Sequence, residues 1–424
     1  MTRIFRFGIA AAVALTPFVA QAQSLSSKVS ELIRFGNCAQ ALCLGTGPGA
    51  HESHFVGAAQ TASADLVSFL TSSITTSVGR LPISATSSGT TFSFVDGAPV
   101  QNTTSAGPIF AERGTTMGKG RLLVGANTTR LSFTQLRGVD TKDIEINLAH
   151  QDVGESGLGD SPFEFDIIGM NIDLGLTLQA STFFATYGLT DRVDVSFAVP
   201  FIQSSLEATA VGQISNLTGS VTGSHYFGTD PTQFRANSAV KGSASGIGDI
   251  AARVKANLYS ANDRAVAVLG EARLPTGDEE SFMGSGSTTI NALVIGSARY
   301  GAFSPHANVG FSLRGGESQT NAALATIGFD QMLSPAVTLA IDLISEFQVG
   351  DSEVRLPDEI FWSNPQRTLQ GTNIPDGKDN PIGLSLGARF LAGGFTIVGN
   401  GLLPVKTGGL QASFAWTLGL ERSF

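Results

Sequence analysis

Apolar and polar residues alternate along most of this chain. From Ile168 to Leu178 every even position is apolar, whereas the odd positions between them are small or polar. A period of two places the two sets of side chains on opposite faces of a β-strand, and an α-helix cannot produce it. The same pattern recurs in Val193–Phe201, in Ile250–Leu258 and in further segments down to Leu420. The chain is therefore predicted to be all-β.

Two features of these segments favour a transmembrane barrel over a soluble β-sandwich. Most segments have about 9–11 residues, the length of a tilted membrane strand, whereas strands of soluble proteins usually have about five or six. Short turns such as 190–192 alternate with longer connections such as 212–245 and 349–381. Outer-membrane barrels have this asymmetry between short turns and long loops. After residue 22, no apolar run of about 18 residues could form a membrane-spanning helix.

We therefore expect a transmembrane antiparallel β-barrel of about 14 strands, with 12 as the alternative. Twelve candidate strands follow Arg121, and the two additional ones are Phe69–Leu81 and Thr90–Val95. The last strand ends at Phe424, a terminal aromatic residue that resembles the signal read by the barrel-assembly machinery of the outer membrane.

The sequence predicts three successive parts. Residues 1–22 have a basic start, an apolar stretch and an Ala-Gln-Ala cleavage site, as in a secretory signal peptide. Residues 23–68 favour short helices and are interpreted as a plug inside the barrel, with a periplasmic tail as the alternative. Residues 69–424 are assigned to the barrel. Cys38 and Cys43, the only two cysteines, are expected to form a disulfide in an oxidising compartment.

Charged residues within the predicted strands are expected to line the lumen. An Arg or Lys that faces lipid at the membrane midplane costs about 2–4 kcal/mol. The candidates are Asp173, Asp194, Asp249, Arg253, Lys255, Glu271, Arg273, Arg299, Arg314, Asp342, Glu346 and Arg389. Their mixed signs favour ion pairs that brace the wall over a selectivity ring, which needs one sign at one height. Pro200 cannot donate a ladder hydrogen bond, so a kink in the wall is predicted there.

Other function classes are disfavoured. The chain has 26 Lys and Arg against 35 Asp and Glu, whereas a nucleic-acid binder needs a basic surface. His51-Glu52-Ser53-His54 lacks the H-E-x-x-H spacing of a zinc enzyme, and Gly246-Ile247-Gly248 lacks the βαβ setting of a dinucleotide loop. Asp278, Glu279 and Glu280 are interpreted as solvated loop acids rather than cation or lipopolysaccharide ligands. We therefore expect no enzymatic activity, cofactor or metal site.

Three segments carry a closer resemblance. Ala185–Phe201, Ser245–Leu258 and Glu271–Gly286 resemble a family of outer-membrane transporters associated with meta-cleavage phenol degradation, related in style to the fatty-acid transporter barrels. The resemblance extends over about Phe165 to Phe424. It implies an outer-membrane channel for small hydrophobic or aromatic compounds, with an N-terminal hatch. The implied partners are membrane lipid, lipopolysaccharide, the barrel-assembly machinery and a small hydrophobic ligand.

Two alternative functions stay open at this point. A structural or surface-interaction barrel would use its long loops, 212–245 and 349–381, to bind a partner and would conduct nothing. A general diffusion porin would have a wide, charged constriction. The lumen distinguishes the three possibilities, because an apolar pocket favours the hydrophobic-compound channel and a fully packed lumen favours the structural barrel.

Overall fold

The computed structural model describes residues 23–36, 42–44, 54–79, 92–95, 98–101, 110–153, 157–160, 162–216, 225–316, 319–351 and 355–424. Its α-helices are α1 (Leu25–Leu32) and α2 (Val56–Gly79), and a short 3-10 helix spans Pro162–Phe165. Its strands are β1 (Phe35–Gly36), β2 (Leu42–Cys43), β3 (Phe92–Val95), β4 (Ala98–Gln101), β5 (Leu122–Leu136), β6 (Val139–Asp140), β7 (Ile144–Ala149), β8 (Asp166–Thr190), β9 (Val193–Asn216), β10 (Arg235–Ile247), β11 (Ile250–Ala261), β12 (Arg264–Leu274), β13 (Thr289–Ala298), β14 (Phe303–Arg314), β15 (Ala322–Ser334), β16 (Val337–Gln348), β17 (Ile360–Ser363), β18 (Gln366–Leu369), β19 (Ile382–Ala392), β20 (Phe395–Lys406) and β21 (Leu410–Ser423).

Twelve antiparallel strands form a closed barrel. Their order around the wall is β5, β8, β9, β11, β12, β13, β14, β15, β16, β19, β20 and β21. The barrel closes where β21 pairs with β5, from Leu410 opposite Leu136 to Ser423 opposite Leu123. Short turns join the strands at one end of the barrel. At the other end the connections are longer, except for residues 407–409 between β20 and β21. Below, these are the short-turn end and the long-loop end.

Of the two expected strand counts, the alternative of 12 is the one observed, and the preferred total of 14 is not. Most of the upstream candidate Phe69–Leu81 lies in helix α2, which buries Leu66, Phe69, Leu70 and Ile74. Phe69 and Leu70 lie three and four residues after Leu66, and Ile74 lies four after Leu70, which is the period of a helix. The other candidate contains β3, which pairs with β4 in a separate two-stranded sheet. The barrel therefore begins at Leu122, and the predicted boundary at residue 69 falls inside a helix.

Strands β8 and β9 extend far beyond the other strands. They have 25 and 24 residues, or about 80 Å at about 3.3 Å per residue. A hydrocarbon core about 30 Å thick can cover only part of that length. Near the short-turn end the outward side chains are apolar, as with Phe183 and Phe197, which are 62% and 60% exposed. Towards the long-loop end the outward positions are polar instead, as with Asp173 and Glu207.

The inward face of this extension is apolar, which corrects the prediction for Ile168–Leu178. The even-numbered residues of that segment were expected to face lipid, but they are buried on the inner side of the wall. Strand β7 continues the wall beside β8, and β10 continues it beside β9. The result is a four-stranded extension with water outside and an apolar interior.

Helices α1 and α2 pack against this apolar interior. Ser24 caps α1 by accepting a hydrogen bond from the Ser27 amide at 3.3 Å. The helix then buries Leu25, Val29 and Leu32, which lie on one face. These side chains and the buried face of α2 belong to the same apolar cluster as the inward residues of β8 and β9. Among the described residues, no helix is long and apolar enough to cross a membrane.

Candidate functional site

A segment that precedes the first barrel strand threads through the lumen. Residues 110–120, which we name the lumen strap, run from the interior of the barrel to the short-turn end. Backbone amides along the strap donate to side chains on successive parts of the wall. The acceptors, in the order in which the strap meets them, are Asp342, Ser297, Asp194 and Asp191, at 3.1–3.4 Å. No periodicity marks this segment, so it could not be predicted from the sequence.

Buried ion pairs hold the strap to two strands of the wall. The Glu112 carboxylate lies 3.4 Å from Lys255 Nζ and 3.5 Å from Arg253 Nη1, both on β11. Arg113 pairs with Asp330 on β15. Arg253 also pairs with Glu271 on β12. The Lys255 and Asp330 side chains are fully buried, so this network is a desolvated layer of charge. It offers an apolar solute no favourable contact.

Ten of the twelve predicted lumen residues lie at inward positions, alternating with exposed apolar ones. They are Asp194, Asp249, Arg253, Lys255, Glu271, Arg273, Arg314, Asp342, Glu346 and Arg389. Further pairs join strands that are two positions apart in the wall, with Arg314 of β14 2.7 Å from Glu346 of β16 and Arg389 of β19 3.0 Å from Glu421 of β21. Asp249 instead accepts from the Gly277 and Ser285 amides, and so holds the 275–289 loop.

Two of the predicted lumen residues lie elsewhere. Asp173 is exposed on the outer face of the β8 extension, because that part of the strand stands in water and its polar face points outwards. Arg299 follows the end of β13 and pairs with Asp263 in the neighbouring short turn. Alternation determined which residues share a face with Asp173, but not on which side of the wall that face lies.

Pro200 lies where β9 changes its partner. It is half-buried and pairs with Thr182 of β8 without a register shift. On its other side β10 ends at Ile247 and β11 begins at Ile250, and the Pro200 carbonyl oxygen accepts a hydrogen bond from the Gly248 amide at 2.8 Å. The missing N–H of the proline therefore coincides with a break in the adjacent strand.

An apolar cavity of about 90 Å³ lies in the lumen above the strap. The end of α2 contributes Ser77 and the start of the strap contributes Phe110. The remaining lining residues come from strands β5, β16 and β19–β21 and their connections: Thr129, Leu131, Phe133, Ile344, Glu346, Pro381, Gly383, Leu402, Leu403, Pro404, Leu410, Gln411, Ala412, Ala415 and Thr417. Sequence alternation alone did not identify this pocket, because its lining comes from strands that are distant in sequence.

The barrel wall is incompletely paired beside this cavity. Strands β20 and β21 pair from Thr396 opposite Glu421 up to Leu402 opposite Ala415. Beyond that pair, the ladder stops, and β20 continues to Lys406 paired only with β19 within the described residues. Val405 and Phe414 flank the gap on the outside and are 62% and 50% exposed. The cavity thus adjoins an apolar, outward-facing gap in the ladder.

The assembly-signal and disulfide predictions concern residues near the two ends of the chain. Phe424 is 62% exposed, and its amide donates to the Leu122 carbonyl oxygen at 2.7 Å, at the short-turn end. Cys43 is disulfide-bonded, and its predicted partner Cys38 lies outside the described residues. The predicted signal peptide, residues 1–22, also lies outside them.

Three histidines from distant parts of the chain meet at the long-loop end. His54 belongs to the motif His51-Glu52-Ser53-His54, whose spacing does not fit a zinc enzyme. In the fold, His54 lies beside His150 and His225. No local motif could have revealed this cluster, since its members are separated by 96 and 75 positions.

Comparison with known families agrees with the resemblance seen in the three hairpin segments. Residues 168–354 match the family described as Putative MetA-pathway of phenol degradation. The match covers a little under half of the chain and includes all three segments. No curated protein matches the chain in sequence.

Several solved outer-membrane barrels are similar to this chain at low identity. A COG4313 outer membrane channel from Pseudomonas putida F1 is 11% identical, with a TM-score of 0.44, over 73% of this chain and 98% of that one. A FadL homologue from Pseudomonas aeruginosa is 11% identical, with a TM-score of 0.35, over 72% and 90%. The toluene transporter TbuX from Ralstonia pickettii is 11% identical, with a TM-score of 0.25, over 73% and 90%.

Proposed function

We propose that this chain is an outer-membrane channel that admits small hydrophobic or aromatic compounds. The observation that carries the proposal is the apolar cavity inside the barrel, between the end of α2 and the inner faces of β5, β20 and β21. A dry apolar cavity of about 150 Å³ can bind benzene, so a site of 90 Å³ suits a ligand of about one small ring after modest side-chain adjustment. The matched family, whose description names phenol degradation, supports the same class of compound.

The solute would leave the cavity sideways rather than along the barrel axis. Towards the short-turn end it meets the strap and its buried ion pairs, where no apolar contact compensates for disturbing desolvated charges. Towards the β20–β21 gap it meets Leu403 and apolar neighbours, and then the hydrocarbon of the membrane. Apolar surface that stays out of water retains about 25 cal/mol per Å², so the lateral route is favoured.

The same proposal places the long loops outside the cell and the short turns in the periplasm. Residues 1–22 would direct export, and Phe424 at the short-turn end would be read by the barrel-assembly machinery. The belt around Phe183 and Phe197 would contact membrane lipid. The polar outer face of the β8–β9 extension would stand among lipopolysaccharide.

Uptake by cells tests the proposal. Cells that lack the gene are compared with complemented cells for uptake of phenol, toluene, alkanes and fatty acids. The variant Ala415→Phe fills the cavity from a buried position and is expected to lower aromatic uptake at least several-fold. Ala307→Phe makes the same change on the exposed, lipid-facing side of β14 and serves as the control.

The outcomes separate the proposed channel from the alternatives. Selective loss of aromatic uptake in Ala415→Phe alone supports the cavity as the route. Equal uptake with and without the gene, for every compound, would favour a structural or surface-interaction barrel. Uptake of polar solutes such as small sugars at the same rate would favour a general diffusion porin.

A further inference from the structure

His54, His150 and His225 converge from three separate segments. His54 immediately precedes α2, His150 follows β7, and His225 lies in the connection between β9 and β10. One candidate ligand atom from each ring lies within 4.8 Å of those from the other two. His54 Nδ1 is 2.8 Å from His150 Nε2. Three of the five histidines in the chain therefore meet at one point, which suggests a shared chemical role.

The outer nitrogens of two rings are already engaged. His225 Nδ1 lies 2.6 Å from the Asp166 carboxylate. His150 Nδ1 lies 2.5 Å from the backbone carbonyl oxygen of Gln151. Histidines that bind metals almost always donate their second N–H to a carboxylate or carbonyl group, which fixes the tautomer and directs the other nitrogen to the metal. The arrangement therefore turns the Nε2 atoms of both rings into acceptors that can face a common centre.

Two of the three rings are shielded from water. His150 and His225 are each 2% exposed, and Phe55 packs edge-on against both at 5.3 and 5.2 Å between ring centroids.

We propose that His54, His150 and His225 form a binding site for one zinc ion. Three imidazole nitrogens suit zinc and its neighbours among the transition metals, whereas calcium and magnesium prefer oxygen ligands. Zinc–nitrogen bonds of about 2.0–2.1 Å in a tetrahedron separate the nitrogens by about 3.4 Å. The 2.8 Å between His54 and His150 is close to that value and needs only a small ring movement. The fourth position would hold water, as in sites with three protein ligands.

The zinc ion would fasten the start of α2 to the outer part of the wall. His54 belongs to the N-terminal segment, whereas His150 and His225 are attached to β7 and to the end of β9. A metal ion that binds only the folded arrangement of the three histidines stabilises that arrangement. The stabilisation increases with the logarithm of the metal concentration. Metal would therefore hold α2 in the extension without touching the apolar cavity, so this inference is independent of the proposed transport.

Metal binding to the full chain in detergent tests the inference. The protein is treated with a chelator and dialysed, and zinc alone is then titrated by calorimetry, with the bound metal counted by mass spectrometry. One zinc per chain is expected. Cobalt added in place of zinc is expected to give the intense visible absorption of a four-coordinate site. Bound zinc is also expected to slow proteolysis of the segment around His54.

Three variants and a control locate the site. His150→Ala and His225→Ala are expected to abolish stoichiometric binding. Asp166→Asn keeps all three ligands and removes only the carboxylate behind His225, so affinity should fall about 10- to 100-fold. His306→Gln changes a buried histidine that pairs with Asp342 in another part of the barrel, and should keep full affinity. Mobility of unheated protein on a gel reports whether each barrel is folded.

Several results would overturn the proposal. The wild-type chain could bind no zinc at one equivalent, or cobalt could give only the weak absorption of a six-coordinate ion. Folded His150→Ala and His225→Ala could also bind zinc as tightly as wild type. Equal losses in His306→Gln and in the cluster variants would mean that zinc binds histidine without a built site.

Discussion

Replacing Glu112 with Gln is expected to release the lumen strap from its charged anchor. The Glu112 side chain is 6% exposed and lies between Lys255 Nζ, at 3.4 Å, and Arg253 Nη1, at 3.5 Å. Arg253 keeps a second partner in Glu271. Among the described residues, Lys255 keeps only the more distant Asp194 carboxylate, at 4.0 Å, and a hydrogen bond to the strap itself. The variant therefore leaves a fully buried ammonium group poorly compensated.

The magnitude follows from the cost of breaking a buried ion pair. Removing one partner typically destabilises by about 3–5 kcal/mol, and we take about 3 kcal/mol because Asp194 compensates for part of the charge. A released strap lets Lys255 regain water, so this cost acts on the equilibrium between the seated and released strap. A shift of about 3 kcal/mol raises the released population about 100-fold.

Thiol labelling on the strap measures that population. Ala111→Cys places a thiol at a fully buried position of the strap, and a water-soluble maleimide reaches it when the strap opens. The labelling rate should rise about 100-fold with Glu112→Gln. Glu207→Gln is the matched control, because the Glu207–Lys241 pair is 71% and 75% exposed and such pairs contribute at most about 1 kcal/mol.

A double variant decides whether the effect comes from the unpaired charge. Lys255→Met in the Glu112→Gln background removes both members of the pair, and loss of both charges costs much less than loss of one. Labelling of the double variant should return most of the way to the parent rate. If Glu112→Gln labels as slowly as Glu207→Gln, or if the double variant labels as fast as the single one, the ion pairs do not hold the strap.

Two further predictions address the wall. Pro200→Val restores a donor at the break between β10 and β11 and is expected to slow uptake of hydrophobic solutes without reducing assembly; unchanged uptake would remove Pro200 from the mechanism. Leu174→Ala, on the buried face of the β8 extension, should lower the free energy of unfolding by about 2–5 kcal/mol, whereas Asp173→Ala on the exposed face should change it by at most about 0.5 kcal/mol. Urea unfolding in detergent compares the two, and equal effects would contradict the inward apolar face.

The twelve barrel strands could be predicted because the membrane demands a strict pattern. Lipid accepts almost no polar side chain, so the outward positions of each strand must be apolar and the alternation is easy to detect. The segment that forms helix α2 was wrongly divided into a short helix and a strand. Its serines and threonines also suit strands, and its helical period of three to four residues is difficult to distinguish from a short alternation. The cavity, the strap and the three histidines could not be predicted, since each depends on which distant segments the closed wall brings together.

The face of β8 was assigned wrongly because alternation has two phases: the apolar residues can occupy either the even or the odd positions. The phase changes within this single strand. In β8 the apolar positions are even up to Leu178 and odd from Phe183 onwards. In β9 they are odd up to Phe201 and even from Ile202 onwards.

These two phase changes lie at the same height, because Ser181 pairs with Phe201 and Ala180 pairs with Ile202. Inward and outward directions do not change along a paired strand, so what changes must be the solvent on each side. Below this level β8 and β9 have lipid outside and polar groups inside. Above it these two strands have water outside and the helices inside. A shift of phase within one long strand therefore indicates where a barrel wall leaves the membrane, and the order of the amino acids alone is enough to detect it.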